Sequence, residues 1–251
     1  MALPKIVRLL YRNLIVNTDV GTIFFVVGLP SLYLIFFGYG YQSFLPGGKE
    51  YLLFLTPGIL SFEALIAGAV AGSMLWLDRR FGMLAQLLVG SFTRMQYLLG
   101  LILTSLILGI AGGLVMLAVS SIIISHHITL LGFGTMILAI TVGSVCYGSI
   151  MLLISALVRS QNTYNSIQVS VIFLSNFAST VFYPYSEDLP VPLRILFLAN
   201  PLTYISNTVR DGYMGSYSAL GLFQFALTSV FTLIMLLLSA RAYFRAEIAT
   251  T

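Results

Sequence analysis

Long apolar runs separated by short charged segments divide the chain. From Val20 to Gly48 there is no Asp, Glu, Lys or Arg, and Ile23–Phe37 forms the apolar core of a first predicted membrane helix. Between Tyr51 and Leu77 the only formal charge is Glu63, which gives a second. Met95 to Val158 carries no formal charge and is about three times the length that crosses a bilayer core of ~30 Å. Ser125-His126-His127 breaks it into Leu98–Ile124 and Leu131–Leu157. A fifth helix is expected within Ser160–Ser186 and a sixth within Gly212–Ala240. Strands of a membrane barrel alternate polar and apolar residues, and the run Leu98 to Leu103 does not. The pattern predicts an all-α polytopic membrane protein of six transmembrane helices, with residues 1–251 forming one domain.

Three segments outside these runs have character of their own. Residues 1–17 contain an amphipathic helix: Leu3, Ile6, Val7, Leu10 and Leu14 share a stripe opposite Lys5, Arg8 and Arg12. Such a helix suits the membrane interface, its cations among anionic headgroups or on an acidic partner. In the loop 77–95, Leu77, Phe81, Leu84 and Leu88 recur at helical spacing, predicting a short amphipathic helix that presents both charge and apolar surface to another protein. In 184–211, Pro184, Pro190, Pro192 and Asn200-Pro201 interrupt a six-residue apolar stretch too short to span. A re-entrant or interfacial hairpin is expected there.

Composition and charge agree. Of 251 residues, 59% are hydrophobic and 8% charged, against about 25% charged in a soluble domain, and the mean hydropathy is +0.99. The net charge of +4 is too scattered to suggest a nucleic-acid partner. It reports orientation instead. With the N-terminus inside, Lys5, Arg8, Arg12, Arg79, Arg80, Arg94, Arg159, Arg241 and Arg245 lie in inner segments, while Lys49, Arg194 and Arg210 lie outside beside Glu50, Glu187, Asp188 and Asp211. Both termini are expected in the cytoplasm, in a multi-pass protein of the cytoplasmic membrane whose first span is an uncleaved anchor. The single cysteine, Cys146, excludes an internal disulfide.

Catalytic motifs are missing. No G-x-x-x-x-G-K-[ST] occurs, so the chain has no P-loop for ATP, and no H-E-x-x-H or G-x-S-x-G appears. His126 and His127 are adjacent with no carboxylate near in sequence, which favours a polar turn over a metal site. Glu63 is the one acid within an apolar run, and is read either as a structurally paired carboxyl or as lining a substrate path. If the helix begins at Pro57-Gly58, Glu63 lies ~8 Å below the surface. Gly68 to Gly72 and Gly109 to Gly113 form G-x-x-x-G patterns that permit close helix contact.

Taken in order along the chain, these features resemble the ABC-2 type transporter permeases, the membrane subunits of ATP-binding-cassette exporters of drugs, lipids and lipid-linked polysaccharides. Three stretches carry the resemblance: Tyr51 to Leu60, Asp78 to Arg94, and Phe182-Tyr183-Pro184 through Leu189-Pro190 to Asn200-Pro201-Leu202-Thr203-Tyr204 and Arg210. The chain departs from the usual pattern at Ala85, Ser91 and Thr180, where Glu, Pro and Gly are common.

The resemblance implies a coupling helix, docked in a groove of a separate ATPase subunit, built from Asp78, Arg79, Arg80, Phe81, Gly82, Leu84, Gln86, Leu87 and Leu88. Lys5, Arg8 and Arg12 on the interface helix would brace the contact. Two copies of the permease would form a pathway in the bilayer, with Glu63, Tyr183, Pro184, Pro190, Asn200, Pro201, Tyr204 and Arg210 at its path or outer gate. ATP and Mg would be bound by the partner, leaving no cofactor or metal in this chain. The function implied is export of an amphiphilic, drug- or lipid-like substrate by alternating access; export of a polysaccharide or lipid-linked glycan is the alternative within the family. An intramembrane enzyme or channel without an ATPase is the alternative of another class.

Overall fold

The computed structural model describes residues 4–44, 48–90, 92–124 and 126–246. The side chains of residues 38, 39 and 41–49 also lie outside the description, as do Ser91 and Ser125. The elements are α1 (Lys5–Val16), α2 (Val20–Ile23), a π-helical turn (Phe24–Gly28), α3 (Leu29–Phe44), α4 (Gly48–Arg80), α5 (Met83–Val89), α6 (Arg94–Ile123), α7 (Leu130–Leu157), α8 (Gln161–Phe177), α9 (Val191–Ala199), α10 (Pro201–Met214) and α11 (Ala219–Arg245). No strand occurs among the described residues.

Five stretches are long and apolar enough to cross a membrane: Val20–Phe37, Glu50–Arg80, Arg94–Ile123, Leu130–Leu157 and Ala219–Arg245. The expected fifth span corresponds to α8, which has 17 residues and at 1.5 Å per residue extends roughly 25 Å, short of a full hydrocarbon core. The last long helix begins later than the sequence pattern suggests. Gly215 takes a left-handed φ of 69° and ends α10, so Gly212 to Met214 belong to that shorter helix.

The centre of the bundle is α4 packed on α7. Small residues let the two backbones close in. A Cβ on Gly68 would lie 2.6 Å from the Gly148 nitrogen, and one on Gly72 would lie 2.6 Å from Met151 Cβ. In α6, Gly109 faces Ser144 and Gly113 faces Ile140 of α7. Both G-x-x-x-G patterns are thus contact surfaces, as lipid-embedded packing requires when no hydrophobic effect drives helices together.

Pro57 does not begin a helix. It sits inside α4, which starts nine residues earlier at Gly48. The Thr56 hydroxyl donates to the Leu52 carbonyl at 2.8 Å, a side-chain bond in the turn before the proline, whose missing N–H leaves the Leu53 carbonyl without its usual helical donor. Gly58, next along, leaves room for the Val181 carbonyl, which a Cβ would strike.

Partner bonds fix which helix ends lie together. Arg79, at the end of α4, donates to the Ser155 carbonyl (2.6 Å) near the end of α7. Arg94, at the start of α6, donates to the Phe244 carbonyl (2.8 Å) near the end of α11. The ends of α4, α7 and α11 and the starts of α6 and α8 therefore gather at one end of the bundle, with α1 against α6. That end carries all nine cations assigned to the inner side.

Candidate functional site

At the basic end, α1 is not held as its stripe of apolar residues suggests. Its buried positions are Leu9 and Asn13, while Val7 is exposed. Leu9 packs over Gly100 of α6, and the Asn13 amide donates to the Thr104 hydroxyl at 3.2 Å. A polar residue centres the inward face because the partner helix offers a glycine and a hydroxyl there.

Arg12 turns inward as well. Its two terminal nitrogens donate to the two carboxylate oxygens of Asp78, each at 2.6 Å, and Tyr97 of α6 donates its hydroxyl to the same carboxylate at 2.7 Å. Asp78 is 6% exposed. The hydrogen bonds that Arg12 donates to Asp78 hold its guanidinium pKa above its ordinary value, against the opposing effect of burial. Such a bidentate pair fixes direction as well as distance. Arg12 thus finds its acid within the chain, rather than among headgroups or on a partner. One carboxylate joins α1, α4 and α6. Arg8 lies over the Phe92 ring, 5.8 Å from its centroid.

Arg79 is 4% exposed, turned towards the end of α7. Beyond it the chain breaks. Gly82 takes a φ of 71°, a left-handed conformation that side chains rarely adopt, and it divides 77–90 into the end of α4 and the separate α5. The expected single stripe is split accordingly: Leu84 is buried and Leu87 and Leu88 are half-buried, whereas Leu77 is exposed and Phe81 is 71% exposed. Of the nine residues assigned to coupling, Arg80, Phe81 and Gln86 project outward. Asp78, Arg79 and Leu84 hold the turn to the bundle from within. Arg80 lies 5.4 Å from the Trp76 ring centroid.

Glu63 falls near the middle of α4, roughly 22 Å from its first residue at 1.5 Å per residue, far deeper than a start at Pro57 would place it. It is fully buried, and neither carboxyl oxygen has a hydrogen-bond partner among the described residues. Gly112 of α6 makes the space for its carboxyl group, since a Cβ there would collide with Oε2.

At the far end, α9 and α10 form a helical hairpin whose tip is Asn200-Pro201. The tip reaches Tyr147 well inside α7, where the Tyr147 hydroxyl donates to Asn200 Oδ1 at 3.1 Å. Asn200 Nδ2 donates to the carbonyls of Ser175 and Ala178, both at 2.7 Å, at the end of α8, and Oδ1 also caps α10 through Leu202 N–H at 3.0 Å. The Tyr204 hydroxyl donates to the Leu198 carbonyl at 2.6 Å, tying the two arms. Near the other end of α10, Gly212 meets Gly132 at the start of α7. Arg210 donates to the carbonyls of Thr180 (2.8 Å) and Phe54 (3.4 Å), and lies 3.9 Å from the Phe54 ring centroid. Tyr183, Pro184 and Pro190 lie on the exposed approach to α9. His126 stacks on Tyr213, and its Nε2 lies 2.8 Å from the Tyr213 carbonyl oxygen.

Replacing Asn200 with alanine removes four hydrogen bonds and deprives two half-buried carbonyls, of Ser175 and Ala178, of the amide that donates to them. At about 1 kcal/mol each, the expected loss is a few kcal/mol, measured as a lowered midpoint of thermal unfolding in detergent. An unchanged midpoint would mean that Asn200 does not hold the tip.

The sequence singled out Asp78, Asn200 and Arg210 but missed Asn13, Tyr97 and Tyr147, which complete their networks. Asn13 was legible as a polar residue one turn after Leu9 on a helix otherwise patterned for lipid. Nothing distinguishes Tyr97 or Tyr147 from interfacial aromatics without the fold.

The bundle, with its gathered basic end and hairpin at the other, defines a multi-pass helical membrane protein. The sequence model of the ABC-2 type transporter family matches residues 6–214, and the chain belongs to that family. It is an ABC-type transporter permease, of a family that normally works with an ATP-binding cassette partner. A search of curated proteins finds no match to the chain.

Proposed function

We propose that this permease is the membrane subunit of an ATP-driven exporter of amphiphilic molecules, working as a homodimer with a separate ATPase that binds ATP and Mg. Both termini lie in the cytoplasm, and the protein resides in the cytoplasmic membrane. The ATPase docks on Arg80, Phe81 and Gln86, and nucleotide binding selects one of two packings of the paired permeases. The observation that carries this reading is the turn at Gly82. It presents an exposed cation at the last position of α4 and an exposed aromatic just past it, while Asp78 and Arg79 just behind are tied to three other helices. A push on the tip therefore reaches α1, α6 and α7 directly.

On this reading α9 and α10 form a re-entrant hairpin that closes the outer end, and α8 completes a sixth, shortened crossing that meets the hairpin tip. Support for an amphiphilic substrate comes from a recess of about 270 Å3 between the first span, α4 and α8. Phe25, Tyr33, Phe62, Phe173 and Phe177 line it together with Asn176, whose Oδ1 has no partner among the described residues. Aromatic walls with one free acceptor suit a largely apolar molecule that carries a hydrogen-bond donor.

The test is association. Arg80→Glu combined with Phe81→Ala is expected to abolish co-purification of a Walker-A-bearing ATPase while insertion and thermal midpoint stay unchanged, because both side chains are exposed. If the doubly substituted chain still captures the ATPase and transports normally, the docking assignment fails. Glu63→Gln preserves shape and adds no charge, so its thermal midpoint should stay within about 1 kcal/mol of the parent in stability terms. A large fall there would show that the carboxyl group has a structural partner.

A further inference from the structure

We infer that the basic end of the bundle holds a binding site for a phosphate-bearing headgroup of an anionic phospholipid. A recess of about 780 Å3 opens between the ends of α4, α7 and α11. Four guanidinium groups line it: Arg79 from α4, Arg159 from the α7–α8 link, and Arg241 and Arg245 from the last turns of α11. These come from three separate parts of the chain, so the cluster is made by the fold rather than by a basic run in the sequence.

No acidic side chain among the described residues lines the recess. Arg159, Arg241 and Arg245 are exposed and make no hydrogen bond or ion pair with other described residues. Arg79 forms the buried floor, bonded to the Ser155 and Ala156 carbonyls. Like charges brought together at one recess repel each other, and a multiply bonding anion such as a phosphate relieves that repulsion while matching guanidinium geometry.

The surroundings favour a lipid as the source of that phosphate. The recess lies where three membrane-length helices end, which is headgroup level. Its rim includes Leu157, 68% exposed, and Leu238, 40% exposed, on helix faces that continue as apolar surface suited to acyl chains. Basic pockets between membrane helices at this level are a recurrent means of holding anionic headgroups. The site is separate from the Arg80–Gln86 docking turn, and its test requires neither an ATPase nor a particular orientation.

The experiment uses the full chain in nanodiscs of equal phosphatidylglycerol and phosphatidylcholine, with bound lipid counted by native mass spectrometry after release. Wild type is expected to retain phosphatidylglycerol over phosphatidylcholine. Arg159→Gln with Arg241→Gln should lower that preference roughly thirtyfold. Arg159→Lys with Arg241→Lys should keep most of it. A third arm adds inorganic phosphate alone to delipidated protein. Equal retention of the two lipids by wild type overturns the proposal and leaves an acidic protein surface as the occupant. Undiminished preference in the Gln variant, with an unchanged thermal midpoint, also overturns it. Tight binding of inorganic phosphate to the delipidated protein, lost in the Gln variant and blocking the return of added phosphatidylglycerol, would assign the recess to a soluble anion instead.

Discussion

Arg12→Ala is expected to destabilise the permease by about 3 kcal/mol and to disconnect the interface helix from the docking turn. Asp78 is 6% exposed with Arg12 in place, and the substitution leaves its carboxylate only the Tyr97 hydroxyl as a partner. Removing one member of a buried pair costs about 3–5 kcal/mol, because the remaining charge has lost its compensation. Arg12 keeps some solvent contact, its side chain being 26% exposed, which sets the expectation at the lower end. Asp78→Ala should cost a similar amount by stranding a guanidinium that is less deeply buried. The informative quantity is the interaction energy of the double variant. If the pair acts as a unit, the two losses are strongly non-additive and the doubly substituted protein is no less stable than either single one. Additive losses would show that Arg12 and Asp78 contribute through separate contacts.

The functional consequence differs from that of the docking variants. Arg80 and Phe81 are at the surface, and their loss should prevent the ATPase from binding. On the proposed docking, the loss of Arg12 leaves the landing surface intact but removes its ion pair between α1 and α4, while Leu9, Asn13 and Arg8 still hold α1 to α6 and the Phe92 ring. ATP hydrolysis measured in the reconstituted complex should therefore continue while transport per ATP falls. Tyr97→Phe is the gentler probe, since it removes one 2.7 Å hydrogen bond and leaves the ion pair in place.

The presence of five long apolar helices and the basic end were legible because they rest on the distribution of charge, which the bilayer punishes residue by residue. Runs without charge therefore mark helices even where the helix itself continues past them, as α4 does through Arg80. Pairwise geometry was not legible. The apolar stripe of α1 was assigned to lipid, yet the face that packs is set by Gly100 and Thr104, ninety residues away in the chain. Asp78 and Arg79 read as facing a partner protein because they sit in a charged loop; their partners within the chain, Arg12 and the α7 carbonyls, become neighbours only when the helices assemble. Gly82 was noticed as part of a motif, but its left-handed φ and the break it makes were hidden by a continuous hydrophobic spacing. Pro57-Gly58 misled in the opposite direction, since a helix stabilised along its length by neighbours tolerates a proline that would end a shorter one.

Gly68→Val is expected to disrupt folding severely. The first atom added to Gly68 would lie 2.6 Å from both the Gly148 nitrogen and Tyr147 Cβ, and 2.7 Å from the Tyr147 carbonyl carbon. Two of these are backbone atoms, which cannot rotate away as the end of a side chain can. Accommodation requires α4 and α7 to separate, and theirs is the interface on which the rest of the bundle is built. Overpacking of a tight core costs about 1–3 kcal/mol when side chains can yield; here the backbone must move, and several contacts along Gly72, Met151 and Ala64 are lost together. Gly134→Val in α7 is the matched control. A Cβ there meets nothing within 4 Å, and valine should be tolerated with little change. Monodisperse protein after detergent extraction, followed by its thermal midpoint, reads both variants. Gly68→Val should fail to give a monodisperse peak, while Gly134→Val should match the parent. If Gly68→Val extracts and melts like Gly134→Val, the close approach of α4 to α7 is not what holds this bundle together.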